Sequence, residues 1–164
     1  MNLPGSRTRV AIGADDAGID LKRTLAEHVR ELGFQVDDIG VDTPEAAATA
    51  GVDYPDVAER LARGIAAGDW DRGILVCGTG IGMAIAANKV AGVRAAQAHD
   101  VYSAERARKS NDAQVVTLGA RVVGPELAKS VVTAFLGSEF AGGGSVRKVE
   151  KLKELDRKMG TAAR

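Results

Sequence analysis

Short apolar runs alternate with longer stretches in which apolar residues recur every three to four positions. The runs, at residues 9–14, 35–41, 73–77, 94–98 and 115–119, are rich in Val, Ile, Leu and Ala. Their length and composition suit strands buried on both faces. Between them, Leu21, Leu25, Val29 and Leu32 form one helical stripe, and Val57, Leu61 and Ile65 form a second. Residues 81–90, 102–109 and 127–136 continue the helical pattern. Strands alternating with helices predict βαβ units and a parallel sheet with helices on both faces. Right-handed crossovers then restrict the topology. The expectation is an α/β, three-layer α/β/α Rossmann-like, doubly wound fold with five strands and an extra C-terminal helix.

Local chemistry marks several boundaries. Gly33, Gly68 and Gly137 are read as helix C-caps. Tyr54-Pro55-Asp56 opens a helix with proline in its first turn, where the missing N–H costs nothing. Residues 43–51 are small and polar and read as a surface loop, and 142–145 as a flexible break. The predicted division is a single domain over 1–145 and a C-terminal helix and tail over 146–164. In that last segment Val149, Leu152, Leu155 and Met159 share helical spacing, and residues 147–164 carry seven basic against three acidic side chains. This describes an amphipathic helix docked on its own body or on a second subunit, with a solvated charged face.

Composition narrows the classes. A chain of 164 residues fits one domain. Balanced charge, 22 Lys+Arg against 22 Asp+Glu, argues against a general nucleic-acid binder. The one cysteine excludes an intramolecular disulfide framework and a multi-cysteine zinc site. No run approaches the ~20 apolar residues of a membrane span, and residues 1–9 are too polar for a signal-peptide core. The expected setting is the cytoplasm.

In a parallel sheet, ligands bind beyond the carboxyl ends of the strands, where the strand order reverses. Strand one ends in Asp15-Asp16, strand three in Cys77-Gly78-Thr79-Gly80-Ile81-Gly82, strand four in His99-Asp100 and strand five in Gly119-Ala120-Arg121. A flavodoxin-like order would bring Asp15, Asp16 and Cys77 into one crevice. Three glycines at alternate positions let backbone N–H groups converge on an anion. A dinucleotide loop would need glycine at position 83, a tyrosine-phosphatase loop arginine there, and a Walker loop Lys-Ser/Thr after its last glycine; Met83 and Ala84 satisfy none of them. A tight turn with no ligand stays open. Cys77 is either a small buried hydrophobe or, at a helix N-terminus, a thiolate base or nucleophile. His28, beside Glu27 and Arg30, is placed on the exposed side of the first helix. His99 is either a ligand-facing acid–base group or a loop histidine.

The strings Gly-Ala-Asp-Asp-Ala-Gly (13–18), Asp-Tyr-Pro (53–55), Cys-Gly-Thr-Gly-Ile-Gly (77–82), Ala-Ala-Asn-Lys (86–89), Gly-Val-Arg-Ala (92–95), Tyr-Ser-Ala-Glu-Arg (102–106), Ser-Asn-Asp-Ala-Gln (110–114) and Gly-Ala-Arg-Val-Val-Gly (119–124) resemble the ribose-5-phosphate isomerase B family, to which galactose-6-phosphate isomerase subunits also belong. The resemblance covers about residues 9–150. It implies an aldose–ketose isomerase of a phosphorylated sugar that needs no cofactor or metal. A base would move a proton between adjacent carbons through an enediolate. By similarity Cys77 is that base, and Gly78, Gly80, Gly82 and the Thr79 hydroxyl hold the enediolate oxygen, as such a nest suits physically. Asn111 matches the family's asparagine on the same oxygen. Asp15 and Tyr54 match contacts to sugar hydroxyls, and Arg121 a basic residue on the phosphate side. The family implies a homodimer or dimer of dimers, with sites shared between subunits through the C-terminal segment.

Three departures stand out. Asp16 replaces the family's phosphate-binding histidine, Ser110 replaces its ring-opening histidine, and the C-terminal Arg-His-x-x-Arg pattern is reduced to Lys148 in register with Arg147 beside it. A pentose 5-phosphate is mostly a furanose and must be opened. A tetrose 4-phosphate has its C4 oxygen esterified, cannot close that ring and needs no opener. The run 99–114 also resembles the branch that isomerises tetrulose phosphates. The favoured substrate is therefore a short linear sugar phosphate such as D-erythrulose 4-phosphate, with ribose 5-phosphate as the alternative and His99 as its substitute ring opener. A non-catalytic phosphosugar-binding module and a flavodoxin-like nucleotide or flavin protein are the competing classes.

Overall fold

A computed structural model of the chain describes residues 8–162. The polar stretch at residues 1–7 and the last two residues of the C-terminal segment lie outside that range. The strands are β1 Arg9–Ala14, β2 Gln35–Asp38, β3 Arg72–Cys77, β4 Ala95–Gln97 and β5 Val115–Gly119. They pair in parallel in the order β2-β1-β3-β5-β4. As expected, β1 and β3 are neighbours. The right half departs from the flavodoxin-like order, since β5 sits between β3 and β4. Burial accounts for it: every residue of β5 is buried, whereas the three residues of β4 are partly exposed. A short, small-residue strand is the one a sheet can leave at its edge.

Helices α1 (Ile19–Glu31), α5 (Val101–Asn111) and α6 (Pro125–Leu136) cover one face, and α3 (Tyr54–Ala67) and α4 (Ile81–Ala87) cover the other. The α1 stripe Leu21, Leu25 and Val29 is buried as its spacing predicts, and Phe135 of α6 joins the same core. Each such side chain contributes about 1.5–3 kcal/mol on burial. Among them lies Lys22, also fully buried, whose Nζ donates to Asp38 Oδ1 at 2.8 Å and to the Val41 carbonyl at 3.0 Å. These two contacts fasten α1 to the end of β2 and to the loop after it.

Two local readings are corrected. Residues 43–51 are not a loop: Pro44–Ala50 forms helix α2, with Thr43 Oγ1 accepting from the Ala46 N–H at 3.0 Å and Gly51 closing it at φ 61°. Four alanines in seven residues carry enough helix propensity once both ends are capped. Gly33 and Gly68 take the left-handed conformation that ends a helix, but Gly137 follows α6 at φ −80°, so any residue would serve there.

The N-terminal edge of the sheet is tied by charge. Arg108, on the last turn of α5 and 2% exposed, donates to Asp112 Oδ1 at 2.9 Å, to the Ala113 carbonyl at 2.7 Å and to Glu139 at 3.4 Å. Arg94, entering β4, holds the other Asp112 oxygen at 3.1 Å and also donates to the Asn111 and Asp112 carbonyls. Arg108 is the buried member of this set, and Asp112 and Glu139 face partly into solvent. Beyond it, a 3₁₀ turn at Gly143–Ser145 leads into α7 (Val146–Ala162). Asp156 of α7 accepts from the Gly92 N–H at 2.9 Å. Val149 is buried, yet Leu152, Leu155 and Met159 of the same stripe are exposed.

Candidate active site

β1 and β3 deliver Asp15 and Cys77 to the carboxyl edge of the sheet, and the loop after β3 wraps over that edge. A cleft of about 450 Å³ opens there, lined by Asp15, Tyr54, Cys77, Gly78, Thr79, Gly82, Arg121 and the apolar rim Ile81 and Ile85. The cleft is large enough for a small phosphorylated ligand.

Cys77, 5% exposed, lies at its floor, and its Sγ accepts the Gly80 N–H at 3.1 Å. The turn that aims this N–H requires glycine. Gly80 has φ 77°, and a Cβ there would stand 2.9 Å from the Leu118 carbonyl carbon. Thr79 is exposed, and its Oγ1 accepts from the Ile81 N–H at 3.3 Å. Of the remaining first-turn N–H groups of α4, that of Gly82, which lines the cleft, has no intrahelical acceptor and is available to a negative oxygen there. Gly82 lets the Tyr54 ring lie against the start of α4, since a Cβ would meet the ring at 2.6 Å. Arg121 donates its backbone N–H to the Gly78 carbonyl at 3.0 Å, and its guanidinium lies beside Gly78.

Asp15 accepts the Ala17 N–H on Oδ1 at 3.1 Å, capping the 3₁₀ turn Asp16–Gly18. Burial holds its carboxyl above the ordinary aspartate value, helped by the charge of Asp16; the Ala17 and Gly18 N–H groups and Arg121 pull the other way. A carboxylate raised in the folded state is neutral in both states at low pH and penalised only when ionised. Asp15→Asn, which keeps the capping oxygen, is therefore expected to melt above the parent at neutral pH. The difference should vanish as pH falls below the ordinary aspartate value of 3.8. Scanning calorimetry across that range checks it, and a constant difference would contradict it.

Several expected site residues lie elsewhere. Asp16 points into an adjoining hollow with Pro44, Ala47 and Asp53, outside the Cys77 cleft. His99 Nε2 accepts the Gly119 N–H at 2.9 Å, so its lone pair is engaged at the end of β5 and it does not line the cleft. His28 is not on an open face: its Nε2 lies 2.8 Å from Thr133 Oγ1, in the seam between α1 and α6. Ser110 and Asn111 end α5, which runs back to the N-terminal edge of the sheet, and Ala113 and Gln114 there lead into β5. Cys77 is in register with Gly119, four residues along β5 from Val115, so Asn111 lies beyond about 13 Å of strand from the thiol. Arg147 and Lys148 open α7, following a segment whose Ala141 N–H donates to the Lys109 carbonyl. The predicted site is thus split between opposite ends of the sheet.

Sequence reasoning missed Gln97 and Thr117, which hydrogen-bond the Cys77 loop, and the structural part of Asn88. The Asn88 amide donates to the Ala95 carbonyl at 2.8 Å and accepts its N–H at 2.9 Å, bonding both main-chain groups of an edge-strand residue. No periodic signal marks such residues, because their partners lie on other elements, 7 to 37 residues away.

The sequence profile of the ribose/galactose isomerase family matches residues 10–152. The chain belongs to that family. It is accordingly an aldose–ketose isomerase of sugar phosphates, as the motifs implied. Among relatives of this isomerase, the D-erythrulose-4-phosphate isomerase of Pectobacterium atrosepticum is 57% identical over 143 residues, 87% of this chain and 91% of that one. The ribose-5-P isomerase B of Listeria innocua is 51% identical over 150 residues, covering 92% and 98%. The ribose-5-phosphate isomerase B structure from Clostridium thermocellum superposes with a TM-score of 0.87 at 41% identity, covering 93% of this chain and 99% of that one. The isomerase has no helix, among its described residues, long and apolar enough to cross a membrane.

Proposed function

We propose that the chain interconverts a linear tetrose 4-phosphate and its ketose, D-erythrose 4-phosphate and D-erythrulose 4-phosphate, with Cys77 as the base. The thiolate takes the proton from C2 of the aldose. The C–H electron pair becomes the C1=C2 bond and charge moves onto O1. The O2 hydroxyl proton passes to O1, and return of the first proton to C1 with O2 becoming the carbonyl completes the ketose. The charge exists only in the intermediate and its flanking transition states, so fixed N–H donors of the loop act where they accelerate most. Asp15 and Tyr54 orient sugar hydroxyls, and Arg121 offsets the phosphate charge.

One observation carries the choice of sugar: Ser110 stands beside Asn111, where a ring-opening histidine would be needed, and the lone pair of His99 is held by Gly119. A substrate that cannot close a furanose ring dispenses with both. The name of the Pectobacterium relative agrees with this reading. Proton NMR in heavy water checks it, with D-erythrose 4-phosphate and ribose 5-phosphate compared at equal concentration. The tetrose is expected to turn over with the larger kcat/KM. Faster turnover of the pentose would return the assignment to ribose 5-phosphate.

We further propose a dimer that completes each cleft. Asn111, Ser110, Arg147 and Lys148 cannot reach Cys77 of their own chain across the sheet, but the same residues of a second copy can. The exposed Leu152, Leu155 and Met159 stripe of α7 and the apolar rim Ile81 and Ile85 supply surface for that contact. The division into a body over 1–145 and a docking helix and tail over 146–164 follows the same logic. A working thiol base also suits the reducing cytoplasm.

A further inference from the structure

We infer that Gln97 and Thr117 are positioning residues for Cys77, acting through the backbone of the loop it heads; the inference rests on Cys77 being the base. The peptide joining Thr79 to Gly80 is engaged at both ends. Its N–H donates to Cys77 Sγ at 3.1 Å, and its carbonyl accepts from Gln97 Nε2 at 2.7 Å. The next carbonyl, that of Gly80, accepts from Thr117 Oγ1 at 2.8 Å. Gln97 and Thr117 are partners in the β4–β5 register, so they emerge side by side on one face of the sheet, under the loop.

Two physical effects follow. A donor on a peptide oxygen polarises the amide and strengthens its N–H as a donor, so the Gln97 amide reinforces the bond to sulfur. A thiolate accepts such a bond better than a thiol does, so the donor has to stay aligned on the sulfur for the base to act. The second effect is geometric. Gly78 and Gly80 leave the loop free to rotate its peptides, and rotation of the Thr79–Gly80 unit would carry its N–H off the sulfur. Pinning two successive carbonyls prevents this. Thr117 is fully buried in a strand that is otherwise Val, Val, Leu and Gly, where a valine would occupy the same space. Its hydroxyl is spent on the loop.

The test uses three variants. Gln97→Met keeps the length and removes the donor at an exposed position, Thr117→Val removes only the hydroxyl, and Thr117→Ser retains it. Because the chain has one cysteine, the rate of iodoacetamide alkylation near neutral pH reports Cys77 alone. Gln97→Met and Thr117→Val are expected to lower both alkylation rate and kcat about 3- to 10-fold, the effect of losing one modest hydrogen bond, with KM moved less than about twofold. Thr117→Ser should match the parent. Unchanged alkylation in Gln97→Met and Thr117→Val, or a raised KM at constant kcat, would overturn the inference. If Thr117→Val fails to fold, Gln97→Met decides. A parent chain without isomerase activity would defeat the Cys77 reading, while the alkylation comparison would still judge the clamp.

Discussion

Cys77→Ser is expected to abolish deuterium incorporation from heavy water into the sugar phosphate while leaving the fold intact. A positioned general base contributes 10²–10⁴-fold, so a loss of about 10³-fold in kcat is the expected size. A serine hydroxyl is close in size and can accept the Gly80 N–H that Sγ accepts at 3.1 Å, so the loop keeps its bond. It ionises far less readily than a thiol, so the proton on carbon has nowhere to go. The melting temperature should stay near the parent value because Cys77 ends its strand and the core residues of β3 are untouched. KM should change little, since the sugar and phosphate contacts remain. Retained exchange in the serine variant would move the base elsewhere in the cleft, with Asp15 the next carboxylate in reach.

The second large effect concerns the split site. Cys77→Ala and Asn111→Ala are each expected to be inactive alone. Mixed by co-expression or by unfolding and refolding together, they should regain about a quarter of the parental activity. In a two-fold symmetric dimer half of the mixed population pairs unlike chains, and each such pair has one cleft with both residues intact. A site formed within one chain would regain nothing. The parallel strand direction makes the result decisive. Asn111 precedes β5 and Cys77 ends β3, so neighbouring strands hold the two residues at opposite edges. Activity of the Asn111→Ala variant close to the parent would instead remove Asn111 from the site.

Much of this architecture is legible in the chain itself. Among the described residues, the apolar pattern locates all five strands and six of the seven helices, because burial of one stripe imposes a period of 3.6 on a helix and burial of both faces leaves a strand as a short continuous apolar run. Only α2 escapes, since a short alanine-rich helix buries almost nothing and has no period to show. The Cys77–Gly82 loop is equally plain, as close approach and a left-handed turn demand glycine locally. The roles of the histidines are not. His28 meets Thr133, and His99 meets Gly119, across 105 and 20 residues respectively, and neither partner leaves a mark beside the histidine. Asp16 illustrates the same limit: adjacent to Asp15 in sequence, it faces α2 because the 3₁₀ turn rotates it away.

Short stretches of residues carry the list of elements, the edge on which Cys77 sits and the family to which the chain belongs. Which residues meet is a matter of how those stretches pack. Strand order places β5 rather than β4 beside β3, and that juxtaposition brings Thr117 and Gln97 under the loop. Helix direction carries Asn111 to the far edge. Both depend on how separate segments pack, and packing is set by the whole core together, not by any window of the chain.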